Sequence, residues 1–209
     1  MEVHPPEHGI HSWRDFLVHM GTITLGLLIA LTLEAGVEAL HHRHQLEEAR
    51  ERIRQEIDNN YAVTVKDRDN MRHATERTRG NISVLDAPGD LDTTKLHFGW
   101  VWDDPENSAW DTARATGAIA LMPYAEVQHY ADIYGQQETV KAAAKDYIAK
   151  QVHLVTPLMR RGDLSNGTVR ATLSPAERQA LADNSAESLT QIQLLLDLTN
   201  GLMNLYAGK

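Results

Sequence analysis

The chain has 209 residues, of which 42% are hydrophobic and 23% are charged, a composition typical of a folded protein of one domain. It carries 20 Lys and Arg against 29 Asp and Glu, and the net charge of −9 argues against binding to duplex nucleic acid, which requires a basic face. The chain contains no cysteine, which excludes disulfides, thiol catalysis and Cys-based metal centres.

An apolar run near the N-terminus predicts a membrane-spanning helix. Between Phe16 and Leu33 no residue carries a formal charge, and His19 is the one histidine. At about 1.5 Å per residue such a helix is roughly 27 Å long, close to the hydrocarbon thickness of a bilayer. Trp13 and Arg14 precede it, as interfacial residues do. A buried core helix and a cleaved signal peptide are the alternatives, but the run is long for a signal peptide and the rest of the chain is amphipathic, so we expect an uncleaved anchor.

Small residues recur every four positions along this run. Thr22, Gly26 and Ala30 form the row, and Glu34 continues it. Small side chains let two helix backbones approach closely in lipid, so we expect a helix–helix interface here, between copies of the chain or with another membrane subunit. Alternatively, the row reflects only the high frequency of Gly, Ala and Thr in membrane helices.

A long helix is predicted to follow the anchor, because neither Pro nor Gly occurs from Val37 to Arg79. Apolar residues step by three or four along it and mark one face: Leu46, Ala49, Ile53, Ile57, Tyr61 and Val65. This stalk either packs within its own domain or forms a coiled coil between chains.

Three tryptophans lie beyond the turn signal at residues 88–89. Trp100, Trp102 and Trp110 can form an aromatic pocket or an anchor for a partner protein, lie in the lipid interface, or fill one end of a helical bundle. Ser108 is predicted to be the N-cap of a short helix that follows.

Two longer helices are predicted after that. The first begins at Pro123 and ends near Met159, and a polar loop then covers residues 160–172. The second opens with a capping box between Ser174 and Glu177. No alternating run predicts a strand.

The predicted fold class is all-α, with one N-terminal transmembrane helix continuing into a long stalk helix, plus a three- to four-helix antiparallel soluble bundle. The predicted segments are the N-terminal tail (1–15), the transmembrane anchor (16–40), the stalk helix (41–85), the tryptophan-rich loop (86–107) and the helical bundle (108–209).

Histidines and glutamates cluster where the anchor ends. Glu38 and His42 are four residues apart and His41 and His44 are three apart, so each pair shares a helix face. Imidazole and carboxylate groups at that spacing can hold Zn²⁺ or another divalent ion. A His/Glu group at a membrane edge can also relay protons. The alternative is a solvated polar collar.

The segment from Thr22 to Glu38, TITLGLLIALTLEAGVE, is followed by a charged helix with the sequence EIDNN at residues 56–60. In this part the chain resembles bacterial protein families of unknown function that have one N-terminal anchor and a helical domain. The resemblance implies a bacterial inner-membrane protein and carries over no site residue.

The resemblance and the flanking charges differ about the side of the membrane. Many members of such families have a basic N-terminal tail, which implies a helical domain outside the cytoplasm, whereas here no Lys or Arg precedes Arg14. Four arginines follow the span: Arg43, Arg50, Arg52 and Arg54. By the positive-inside rule they favour a cytoplasmic domain.

No phosphate loop, nucleophile elbow or HExxH motif occurs, and no cofactor site is predicted. We expect a non-enzymatic single-pass protein of the lipid bilayer that acts in assembly, as a homo-oligomer or as an accessory subunit of a larger membrane complex. Two alternatives stay open: a membrane-tethered sensory or ligand-binding helical bundle, and a metal- or proton-handling site at residues 34–44.

Overall fold

The computed structural model describes residues 12–160, 163–165, 168–170 and 172–208. Its four α-helices are α1 (Trp13–Asp86), α2 (Ser108–Ala115), α3 (Tyr124–Met159) and α4 (Pro175–Ala207). Two 3-10 helices lie at Thr93–Lys95 and Ala118–Leu121, and two short strands, β1 (Asp163–Ser165) and β2 (Thr168–Arg170), pair antiparallel. The all-α class and the long apolar N-terminal helix are confirmed. Residues 1–11 of the predicted tail lie outside the described residues.

The chain divides into two compact units, Met1–Glu48 and Ala49–Lys209. In the first unit the apolar part of α1 is bare: its most apolar 18-residue window has a mean hydropathy of 2.0 and is 0% buried. By length and composition, α1 is the one helix in the described part of the chain that is able to cross a membrane.

Two threonine hydroxyls of the apolar run are hydrogen-bonded within α1 itself. Thr22 donates to the carbonyl of Val18 at 2.9 Å, and Thr32 donates to the carbonyl of Leu28 at 2.7 Å. Because lipid offers no hydrogen-bond partner, this local bonding makes both residues compatible with a bilayer.

The second unit has a hydrophobic core to which α1, α3 and α4 contribute. Fully buried members include Ile53 and Ile57 of α1, Ile133 of α3, and Ile192 and Leu202 of α4. α3 packs along α4, where the buried side chains of Gln151 and Ser188 hydrogen-bond across the two helices. Packing of this kind, rather than helix propensity, supplies most of the stability of such helices.

The buried face of α1 differs from the predicted apolar stripe. Ile53 and Ile57 are buried as predicted, but Tyr61 is 38% exposed and Val65 is only half-buried. The buried face continues instead through residues at steps of three or four, several of them polar: Asn60, Thr64, Asp67, Met71 and Ala74. The prediction was wrong beyond Ile57 because it followed apolar residues alone.

The starts of α3 and α4 agree with the predicted starts to within a residue, whereas α1 begins at Trp13, three residues before the predicted anchor. The capping box of α4 is confirmed, since Ser174 Oγ accepts from the backbone of Glu177 at 3.3 Å and the Glu177 carboxylate accepts from the backbone of Ser174 at 2.9 Å. α3 ends at Met159 as predicted, but Pro123 is its N-cap rather than its first residue. The loop predicted over 160–172 contains the β1–β2 pair, whose three-residue strands are too short to show alternation.

The C-terminus of α1 is capped by an arginine from a distant part of the chain. α1 has no basic residue in its last turn. Arg178, near the start of α4, donates from its guanidinium to the carbonyls of Leu85, Ala87 and Gly89, the last at 2.9 Å. Its positive charge meets the partial negative charge of the helix C-terminus, so α4 fixes the point at which the chain leaves α1.

Candidate functional site

A non-helical segment, residues 96–107, lies along α1 and is called the strap here. Side chains from one face of α1, which we call the polar ladder, hydrogen-bond to the main chain of the strap. Asn81 donates to the carbonyl of His97 and accepts from its amide, each at 2.8 Å. Asn60 pairs in the same way with Glu106, at 2.6 and 2.8 Å. An amide side chain thereby satisfies both backbone groups of one strap residue.

Two further hydrogen bonds of the polar ladder lie between these two pairs. Arg77 donates to the carbonyl of Gly99 at 3.1 Å, and the amide of Asp103 donates to Asp67 at 3.2 Å. From Asn81 to Glu56 the helix rises roughly 38 Å at about 1.5 Å per residue, and an extended chain from His97 to Ala109 spans roughly 40 Å at about 3.3 Å per residue. The match in length explains how the strap runs extended and antiparallel to α1.

The ladder ends at Glu56, which caps α2. One carboxylate oxygen accepts from the hydroxyl of Ser108 at 2.9 Å and from the amide of Ala109 at 2.7 Å. The other accepts from the amide of Trp110 at 3.5 Å and from the hydroxyl of Tyr134 at 2.7 Å. Glu56 is 7% exposed, so a buried acceptor from α1 satisfies the first amides of α2 and ties α2 to α3.

This arrangement corrects the predicted N-cap of α2. Ser108 is the first helical residue and Asn107 is the N-cap, with no capping hydrogen bond from its own side chain. The cap comes instead from Glu56, which is remote in sequence, and Ser108 contributes its hydroxyl to that carboxylate. Sequence windows around Ser108 contain no sign of such a long-range cap.

A buried amide connects the ladder to α3 and α4. Gln137 is fully buried; its amide nitrogen donates to the carbonyl of Glu106 at 2.8 Å, and its oxygen accepts from the hydroxyl of Tyr206 at 2.8 Å. Asn60 also donates to Gln137, at 3.2 Å. Burial raises the pKa of Tyr206, and burial together with the hydrogen bond to Glu56 raises that of Tyr134, so both hydroxyls stay protonated donors.

The structure separates the three tryptophans. Trp110 is buried and stacks on Tyr134, with ring centroids 5.3 Å apart and an interplanar angle of 6°. Trp102 and Trp100 lie half-buried on the strap, and the indole of Trp102 donates to Asp104 at 2.9 Å. Trp110 therefore belongs to the core under the cap of α2, and the other two belong to the strap.

The four predicted metal ligands do not form one group. Glu38 and His42 approach to 3.9 Å, and the rings of His41 and His42 are 6.4 Å apart. Over the described residues, no group of three or more His, Cys, Asp or Glu side chains is placed to hold a metal ion. A metal site formed by Glu38, His41, His42 and His44 stays a prediction.

The predicted helix–helix row lies on an exposed part of α1. Thr22, Gly26, Ala30 and Glu34 are all exposed, and a Cβ atom placed on Gly26 would meet nothing within 4 Å. This surface is open to a neighbouring helix or to lipid.

The clefts found on the described surface of the second unit are small. One of about 260 Å³ lies where Val101 of the strap passes Asn70, His73 and Arg77 of α1. The other, of about 200 Å³, lies between α3 and α4 beside Lys150. Both are below the range of about 300–1,000 Å³ that is usual for sites enclosing a drug-sized ligand.

Comparison of the chain with models of known families, with curated proteins and with solved structures gave no match in any of the three. The function is therefore inferred from the residues themselves. Sequence reasoning missed the polar ladder: Glu56 and Asn60 were noted only as part of the EIDNN sequence, and no role in binding the strap was predicted for Asp67 or Asn81. These residues recur at helical spacing on the same face of α1 as the buried apolar residues. That pattern of polar residues on a buried face is the sequence feature that could have identified them.

Proposed function

We propose that this chain is a single-pass membrane protein that acts in assembly and presents a helical domain held rigid by the strap and ladder. The proposal is supported above all by the bare apolar surface of α1. Ten large hydrophobic side chains of the run are more than half exposed: Leu17, Val18, Met20, Ile23, Leu25, Leu27, Leu28, Ile29, Leu31 and Leu33.

The free energy involved is large compared with protein stability. Burying one such side chain is worth about 1.5–3 kcal/mol, so leaving this set in water costs on the order of 15–30 kcal/mol. A folded domain is stable by only about 5–15 kcal/mol. A lipid bilayer covers a single apolar helix of this length on all sides. The resemblance of the first part of the chain to bacterial families with one N-terminal anchor favours the bacterial inner membrane.

The assembly role is assigned to the row formed by Thr22, Gly26 and Ala30, through which two copies of α1 pack. Because the chain has no cysteine, single cysteines can be introduced without background. We expect Thr22→Cys, Gly26→Cys and Ala30→Cys to form disulfide-linked dimers in native membranes under mild oxidation. Thr24→Cys and Leu28→Cys, about 180° around the helix, are matched controls that should stay monomeric.

A cross-linking pattern with no helical phase would contradict packing through this row. If none of the five positions cross-links and the protein co-purifies with another membrane protein in mild detergent, self-association is wrong and α1 serves as an accessory subunit instead. A strictly monomeric particle without any companion would remove the assembly role altogether.

The arginines that follow the span favour a cytoplasmic second unit. Asn59 is exposed on α1, so Asn59→Cys offers a thiol to a membrane-impermeant reagent. We expect labelling only after spheroplasts are opened. Labelling of intact spheroplasts at the same rate would place the domain outside, as the resemblance implies.

A further inference from the structure

Asp67 is the part of the polar ladder whose hydrogen bonding is incomplete. The residue is fully buried. One of its carboxylate oxygens accepts from the amide of Asp103 at 3.2 Å, and the other has no hydrogen-bond partner among the described residues. The carboxylate of Glu56, by comparison, has partners on both oxygens. A buried carboxylate with a bare oxygen is costly when ionised and much less so when protonated.

The groups around Asp67 favour its neutral form. The pKa of Asp67 is raised to about 6, chiefly by burial and also by the charge of Asp103 on the strap. The Asp103 amide, Asn70 and the charge of Lys66 lower it, but Lys66 is exposed and is paired with Asp103 at 2.6 Å. Arg68, the next residue of α1, donates from its guanidinium to the sulfur of Met203 in α4 at 3.7 Å.

The hydrogen bonds of the polar ladder on either side of Asp67 do not depend on pH. Asn81 holds His97 and Asn60 holds Glu106 through neutral amides, and Arg77 keeps its charge at any physiological pH. Gln137 of α3 also donates to the carbonyl of Pro105 at 3.4 Å. Between Gly99 and Pro105, the described hydrogen bonds and ion pairs of the strap with α1 are those of Asp67 and of the exposed pair of Lys66 and Asp103. Exposed ion pairs contribute little, so Asp67 decides whether this stretch stays docked.

We propose that Asp67 is a proton-sensitive latch, which holds residues 100–104 of the strap on α1 while its carboxyl is neutral and releases them when it ionises. The released stretch carries Trp100 and Trp102, which are half-buried when docked, so deprotonation exposes aromatic surface. The inference goes beyond the proposed function and does not depend on the anchor.

The direction of the pH dependence follows from the pKa difference. Asp67 has a pKa of about 6 when docked, whereas an aspartate that release exposes to water has the ordinary value of 3.8. The docked state therefore binds the extra proton between these values, and docking weakens as the pH rises through that window and is constant above it. A pKa difference of about 2 changes the opening equilibrium by about 100-fold over the whole window.

The test is hydrogen–deuterium exchange of the full-length protein in detergent, from pH 4.5 to pH 7.5, with rates corrected for the intrinsic pH dependence. We expect protection of the Asp103 amide, measured in a peptide that covers residues 100–104, to fall at least about tenfold with rising pH, while peptides around Asn81 and Gln137 stay protected. Asp67→Asn should remove this fall, and Asp69→Asn, an exposed neighbour on α1, should leave it unchanged.

Two results would overturn the latch: a wild-type strap equally protected at both ends of the range, or the same fall in Asp67→Asn. If Asp67→Asn does not fold, Asp103→Asn decides the question. Loss of the repelling charge should move the midpoint to lower pH, and an unmoved midpoint would show that Asp67 is not the titrating group.

Discussion

Removal of residues 1–48 is expected to convert the protein from one that stays with membranes after alkaline extraction into one that is soluble and folded. Residues 1–48 form their own unit, and the apolar window of α1 within it is 0% buried, so it contributes nothing to the core. The core and the polar ladder both lie within Ala49–Lys209. Ultracentrifugation followed by circular dichroism and thermal melting of the supernatant checks both halves of this prediction.

A substitution within the apolar run serves as the control for the removal of residues 1–48. His19→Leu keeps the length of the apolar run and raises its hydropathy, so it should remain in the membrane fraction. Recovery of the intact full-length chain in the supernatant without detergent would refute the membrane assignment. A soluble but unfolded product from residues 49–209 would instead show that the second unit needs the first.

The sequence predicts a structural feature well where the residues that determine it are close together in the chain. An uninterrupted run free of Pro and charge can only be a long apolar helix, and the Ser174–Glu177 capping box is complete within four residues. The buried face beyond Ile57 was predicted wrongly because Asn60 and Asp67 sit at core positions. Polar residues belong in a core only when they have partners, and those partners lie on the strap, remote in sequence.

The same reason limits prediction of the strap itself. Residues 96–107 have no periodic pattern, and their conformation is set by side chains of α1 that bind their amides and carbonyls. The contacts between Glu56 and the start of α2 bridge more than 50 residues of chain. Asn, Asp and Ser are residue types that often hydrogen-bond to backbone groups, but a single sequence does not indicate which backbone amide or carbonyl each of them will bind.

Glu56→Ala is expected to destabilise the second unit by about 3–4 kcal/mol, because it leaves the first amides of α2 and the buried hydroxyl of Tyr134 without an acceptor. Each buried polar group left unsatisfied costs about 1–3 kcal/mol. A loss of this size lowers the melting temperature of a domain of this length by about 10 °C. Chemical denaturation monitored by tryptophan fluorescence and by circular dichroism measures the change.

Controls on the same helix and across the site make this prediction specific. Glu51→Ala removes an exposed carboxylate whose partner is Gln55, and should change stability by less than about 0.5 kcal/mol. Tyr134→Phe removes one of the donors to Glu56 and should cost about 1 kcal/mol alone, but less when Glu56 is already alanine, since the hydroxyl then has lost its acceptor. Equal effects of Glu56→Ala and Glu51→Ala, or strict additivity with Tyr134→Phe, would show that Glu56 does not hold α2 to α3.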